Sequence, residues 1–169
     1  MEARMSSVEL LLDEAAEARV RDEWQALADT GLSSLARHDA PSNRPHITLL
    51  ARPGLPARPP LARLPLPLPL VLGEPMLLGV GERRVLARAI VPSAELLALQ
   101  SAVVEAAGPA DDVAHFRPGR WVPHVTLARR LRLTDVPTAL ALLGEPIDAR
   151  AVGMRHWDPA TGTLTPLGG

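Results

Sequence analysis

Two short segments of this chain share one pattern, Pro45-His46-Ile47-Thr48-Leu49 and Pro123-His124-Val125-Thr126-Leu127. In an extended strand residues i and i+2 share a face, so His46 and Thr48 point one way while Ile47 and Leu49 point the other. The same holds for His124 and Thr126 against Val125 and Leu127. Each segment offers an imidazole and a hydroxyl from one surface, anchored by aliphatics beneath. Two such surfaces facing one another suit the hydrolysis of a phosphodiester. One group must take a proton from water and another must give a proton to the departing oxygen, on opposite sides of phosphorus. An imidazole with an ordinary pKa of about 6.5 fills either role near neutral pH. The threonine hydroxyls can donate to the nonbridging oxygens, where charge builds up.

A lone His-x-Thr carries little meaning, because most strand histidines do no chemistry. Two copies in matching places carry more, since the chain has five histidines in all. A metal site is the nearest chemical rival. It needs three or four ligands, and no His-x-His or His-x-x-x-His pair accompanies the motifs. No metal and no cofactor are therefore expected. His115 reads as a surface histidine behind Asp111 and Asp112, and His38 and His156 as turn or strand-edge residues.

Composition narrows the partners. The 169 residues suit one compact domain, and 47% are apolar, ample for a core. There is no Cys and no Lys, which excludes thiolate and disulfide chemistry, Schiff bases, a lysine-bearing phosphate loop and a lysine adenylate. Formal net charge is -1, so a long duplex is not an expected partner, although an Arg-lined cleft for a short strand remains open. No secretory signal and no membrane span are read from the sequence, which makes a cytoplasmic protein the default.

The elements that must position the motifs follow a repeat. Val8 to Leu12 reads as a strand, Asp13 as a helix start, and Glu14 to Ala28 as a helix with Ala16, Val20, Trp24 and Leu27 on one face. Gly31 ends it, and Leu32 to Leu35 could form a further strand before His46 to Leu50. In the second half, Arg83 to Val91 reads as a strand, Ser93 caps a helix to Ala107, and Gly108 ends it before Trp121 to Ala128. From helix-stop glycine to histidine is 15 residues in the first half and 16 in the second. Between the halves, Ala57 to Leu64 could make two helical turns. Pro65, Pro67 and Pro69 lack donors on one side, which predicts an edge strand to Leu72. Met76 to Leu78 is a further strand, Thr134 to Leu143 a short helix, and Ile147 to Trp157 with Leu164 to Leu167 a closing hairpin.

Arginines near the motifs could meet the remaining phosphate charge: Arg44, Arg52, Arg120, Arg129 and Arg130. Of the last two, Arg130 is in phase with Thr126 if the strand persists, so Arg44, Arg120 and Arg130 are the preferred substrate contacts. Trp121 beside the second motif could stack on a base.

The paired His-h-Thr-h elements, where h is apolar, resemble those of the 2H phosphoesterase superfamily, in particular its 2'-5' RNA ligase-like branch, over about residues 6 to 168. The resemblance implies an α+β fold, bilobal, with two pseudo-twofold-related lobes of antiparallel sheet and helices around a central cleft. It would form a single domain over 1–169, with repeats at about 6–50 and 83–128 and sheets completed by 64–80 and 147–168. It implies His46, Thr48, His124 and Thr126 as the catalytic set, with His124 as base and His46 as acid. The implied activity is metal-independent cleavage of cyclic phosphodiesters, with 2'-5' ligation as its reversal. A monomer acting on a nucleotide, or on a short single-stranded RNA end bearing a 2',3'-cyclic phosphate, is the leading expectation. The alternatives are a cyclic phosphate of a small metabolite of the ADP-ribose type, and a noncatalytic nucleotide- or RNA-binding module on the same fold.

Overall fold

Asp13 shows how the first repeat is built. Its carboxylate accepts from the Ala16 amide at 3.0 Å and from the Arg150 amide at 2.6 Å. It thereby ends β1 (Met5–Leu12) and caps α1 (Glu14–Asp29). The computed structural model describes residues 4–168, and the outermost bounds expected for the domain, 1 and 169, lie outside the described residues. Gly31, at φ 80°, terminates α1, and β2 (His46–Pro53) returns antiparallel to β1. After β3 (Leu68–Leu78), the second half follows the same plan. In β4 (Arg83–Ile90), α2 (Ala94–Ala107) and β5 (His124–Arg132), Ser93 caps the helix, Gly108 at φ 79° ends it, and β5 pairs antiparallel to β4. The equivalence reaches single residues. Thr48 lies opposite Glu9 and Thr126 opposite Ala87, while His46 lies opposite Leu11 and His124 opposite Ala89.

A short α3 (Val136–Ala141) precedes β6 (Ile147–Asp158) and β7 (Thr163–Pro166). The strands form one antiparallel sheet in the order β2-β1-β6-β3-β4-β5, with β7 also on β6. β6 serves both halves: Ile147 to Ala151 pairs β3, Ala151 to Trp157 pairs β1, and Ala151 meets both Leu12 and Leu68. The sheet is thus two repeat-built halves joined through one long strand, the α+β bilobal plan expected.

Each repeat helix, α1 and α2, reaches across to the opposite half. Glu23 of α1 meets Arg88 of β4, which is 1% exposed, in two 2.7 Å contacts. The other Arg88 donors go to the carbonyls of Gly73 and Gly144. Gln100 of α2 donates to the Leu49 carbonyl of β2 at 3.1 Å. Arg52 of β2 holds the carbonyls of Ala107 and Gly108 at the end of α2, and pairs with Asp112 at 2.8 Å. These polar links cross a continuous apolar core that includes Leu10, Trp24, Ile47, Leu86, Leu99 and Leu127.

Three local expectations differ from what is observed. Leu32 to Leu35 is no strand. Ser34 turns its hydroxyl to the Trp24 carbonyl and caps a 3-10 turn, Leu35–Arg37. Ala57 to Leu64 forms no helix; Pro59 and Pro60 remove two amide donors there. The proline-flanked strand is not confined to an edge. β3 begins at Leu68 and pairs β6 through Leu72, then slips register before Pro75 and pairs β4 to Leu78. Pro65 and Pro67 precede it, and Pro69 lies in the stretch where β3 is paired with β6 alone. Among the described residues no helix is long and apolar enough to cross a membrane.

Candidate active site

His46 and His124 are the first residues of the two outermost strands, β2 and β5. In each, Nδ1 lies 2.7 Å from the carbonyl two residues earlier, Arg44 for His46 and Val122 for His124. A carbonyl only accepts, so Nδ1 carries the hydrogen and Nε2 is left for the cleft in both rings. Among the described residues the hydroxyls of Thr48 and Thr126 have no protein partner. Their backbone carbonyls do. Trp121 Nε1 donates to Thr48 at 3.1 Å, and Trp24 Nε1 donates to Thr126 at 3.1 Å.

A bulge follows each motif. Val8 pairs Leu50 but Glu9 pairs Thr48, and Leu86 pairs Ala128 but Ala87 pairs Thr126. The extra residue puts Leu49 and Leu50, and likewise Leu127 and Ala128, consecutively into the core. It also reverses the phase of what comes next. Arg129, three residues beyond Thr126, faces the cleft, and its counterpart Ala51 does the same in the first half.

Two hollows meet at Arg129. One, of about 460 Å³, is lined by His46 and Thr48 with Glu9, Ser42, Arg155 and Trp157, among others. The other, of about 550 Å³, holds His124 and Thr126 with Val85, His115 and Val122, and is more apolar. The halves therefore share a scaffold but differ in lining. The residue opposite Thr48 is the buried Glu9, where the second half has Ala87. Ser7 and Arg155 each bind Glu9 at 2.7 Å, and Glu9 Oε1 lies 3.7 Å from His46 Nε2, within ion-pair reach of a protonated ring.

The electrostatics of His124 are different. Burial pushes its pKa below the ordinary histidine value. The Val122 carbonyl opposes that, while the charges of His115 and His46 add to the depression. A histidine so placed is held neutral and can take a proton from water.

The four residues expected to touch substrate are placed elsewhere. Arg44 is engaged by Glu17, with its closest contact at 2.6 Å. Burial pushes the Glu17 carboxyl up, and Arg44 and Arg21 outweigh it and hold it low. Trp121 is buried and supports Thr48 from behind, with no face left for a base. Arg120 is exposed and lines neither hollow, and Arg130 is directed away by the bulge, its amide on Ser33. Arg52, near the first motif, is consumed in docking α2. In their place stand Arg129, His115, Glu9 and Arg155. Only Arg129 had a sequence signal, its position beside the motif. His156, read as a strand-edge residue, is buried in β6 with Nε2 2.6 Å from the Leu55 carbonyl. Among the described residues no group of three His, Asp or Glu stands together as a metal would require.

Comparison with known proteins agrees with this architecture. No curated protein matches the sequence. The fold matches the structure of Kluyveromyces marxianus Usb1 with a TM-score of 0.53 over 97% of each chain, at 14% identity, a likeness of fold alone. The family model of the 2'-5' RNA ligase superfamily matches residues 12–166. With both His-h-Thr-h elements inside that span, on the outer strands of two repeated half-sheets, the chain belongs to the 2'-5' RNA ligase superfamily of 2H phosphoesterases.

Proposed function

We propose that the protein hydrolyses 2',3'-cyclic phosphates of RNA ends or nucleotides by acid–base catalysis between His46 and His124, without a metal ion. The observation that carries this is the matched orientation of the two rings. Each is locked through Nδ1 at 2.7 Å and each presents Nε2 beside a threonine hydroxyl with no protein partner. Water attacks phosphorus while its proton passes to Nε2 of His124, whose burial favours the neutral ring. The bond from phosphorus to the ribose 3'-oxygen breaks, and that oxygen takes the proton from Nε2 of His46. Glu9 Oε1 lies 3.7 Å from that nitrogen. Thr48 and Thr126 donate to the nonbridging oxygens, and Arg129 supplies positive charge where the hollows meet. The product is a 2'-phosphate; a 5'-hydroxyl attacking in place of water, its proton passing to His124 while the 3'-oxygen leaves with the proton of His46, would instead form a 2'-5' phosphodiester.

The test is product analysis over a panel of 2',3'-cyclic mononucleotides, cyclic-ended oligonucleotides and a cyclic sugar phosphate of the ADP-ribose type. A 2'-phosphate from the first two supports the assignment. A 3'-phosphate product alone would reverse the leaving group, turnover of the sugar phosphate alone would move the substrate to a metabolite, and binding without turnover would favour a noncatalytic module.

A further inference from the structure

The lobe-two wall of the cleft continues well past the catalytic motif. All register slips between β4 and β5 fall in β5, so β4 is regular from Arg83 to Ile90 and its faces alternate cleanly. Leu86, Arg88 and Ile90 are buried in the core. The other row is Ala89 opposite His124, Ala87 opposite Thr126, Val85 lining the hollow, and finally Arg83 opposite Arg132. Arg83 and Arg132 therefore share the face of His124, six residues along β4 from Ala89, or roughly 20 Å at about 3.3 Å per residue. Arg129 stands between them and the motif.

Among the described residues, none of Arg83, Arg84, Arg129, Arg130 and Arg132 has an acidic partner within 4 Å, although Arg44, Arg52, Arg88, Arg117 and Arg155 all do. Arg83 reaches the Arg130 carbonyl at 3.4 Å, and Arg84 folds back onto the carbonyls of Gly79 and Gly81. Arg83 and Arg132 lie directly across a strand pair, where two like charges work against the sheet. In a chain of net charge -1, the three of these on the cleft face, Arg83, Arg129 and Arg132, fit a ligand that brings several negative charges in a row.

We propose that Arg129, Arg132 and Arg83 form a docking track for the backbone phosphates of a single RNA strand whose end lies between the two histidines. This rests on the phosphodiesterase reading above and extends it from the reacting phosphate to the next few nucleotides. The wall carries cations but no Trp, Tyr or Phe, so the strand is held by its charge, and binding should be strongly salt-dependent and tolerant of sequence.

The experiment measures binding of a labelled RNA hexamer ending in a 3'-phosphate, and of a nucleoside 3'-monophosphate, across a salt series. The proteins compared are the native chain, the double variant Arg83→Gln/Arg132→Gln, and Arg19→Gln on the exposed side of α1 as a control for charge. Thermal unfolding checks that all three fold. The double variant should bind the hexamer several-fold more weakly, with its log–log salt slope reduced by about 0.7 for each phosphate no longer neutralised. Its affinity for the mononucleotide should be unchanged. An unchanged hexamer affinity and slope, an equal loss for both ligands, or an equal loss in Arg19→Gln would overturn the track. The hexamer result with no turnover of any cyclic phosphate would leave the track standing and remove the phosphodiesterase reading instead.

Discussion

Trp24, on the helix of the first repeat, donates its indole N–H to the carbonyl of Thr126 in the second motif at 3.1 Å. Trp121 makes the reciprocal bond to Thr48. Each motif sits on an outermost strand, whose outer carbonyls lack a ladder partner, and the two indoles supply one. Trp24→Phe and Trp121→Phe keep most of the apolar packing and remove the bond, at a cost of about 1–3 kcal/mol including the carbonyl left unpaired. Denaturant midpoints measure that cost. Turnover should fall as well, because the backbone carrying Thr126 or Thr48 is released; midpoints and rates equal to the native protein would remove this role.

The ion pair of Glu23 with Arg88 ties α1 to the opposite half-sheet with both partners buried. Removing one partner strands the other charge, so Arg88→Met or Glu23→Leu alone should cost about 3–5 kcal/mol. The double variant Arg88→Met/Glu23→Leu should recover much of that loss, although the carbonyls of Gly73 and Gly144 lose their donor. Thermal unfolding of the four proteins decides it; single variants as stable as the native chain would show that the pair contributes nothing.

His124 must be neutral to accept a proton, and burial first, then the charges of His115 and His46, hold its pKa below the ordinary value of about 6.5. The acidic limb of kcat/KM should therefore lie below that value. Replacing His115 by Gln removes one depressing charge, so the limb should move upward in pH and activity should drop on the acid side alone. A pH–rate profile reads this directly, and a limb that stays in place or moves downward would contradict the arrangement.

For Asp13, burial raises the carboxyl pKa, but the bonds from the Ala16 and Arg150 amides outweigh it, so the folded value is depressed. A group depressed in the folded state stabilises above its unfolded pKa, about 3.9, and loses that contribution as pH falls through the folded value. Asp13→Ala should cost about 1 kcal/mol at neutral pH and less near pH 3. Urea denaturation at both pH values checks it, and an equal cost at both would rule out the carboxylate as the cap.

Much of the fold was legible because it is local. Asp13, Gly31, Ser93 and Gly108 are cap and stop signals that work within one turn, and each bounds a helix as expected. The two motifs were legible because strand alternation alone sets which residues face together. The rest of the cleft lining was not, for a physical reason. A bulge after each motif shifts the phase by one residue and exchanges Arg130 for Arg129, and a bulge leaves no mark in an apolar run such as Leu49-Leu50. Glu9 and Arg155 were missed because their meeting depends on β6 lying beside β1, a pairing between residues 146 positions apart.

Whether two histidines from two repeats perform one reaction is read from kcat/KM for a 2',3'-cyclic nucleotide in EDTA, comparing the native protein with His46→Ala and His124→Ala. The native protein should keep full activity in EDTA, and each variant should lose roughly 10²–10⁴-fold. Native-like turnover in either variant, or native activity that EDTA abolishes and a divalent ion restores, would contradict a metal-free reaction shared by the two histidines.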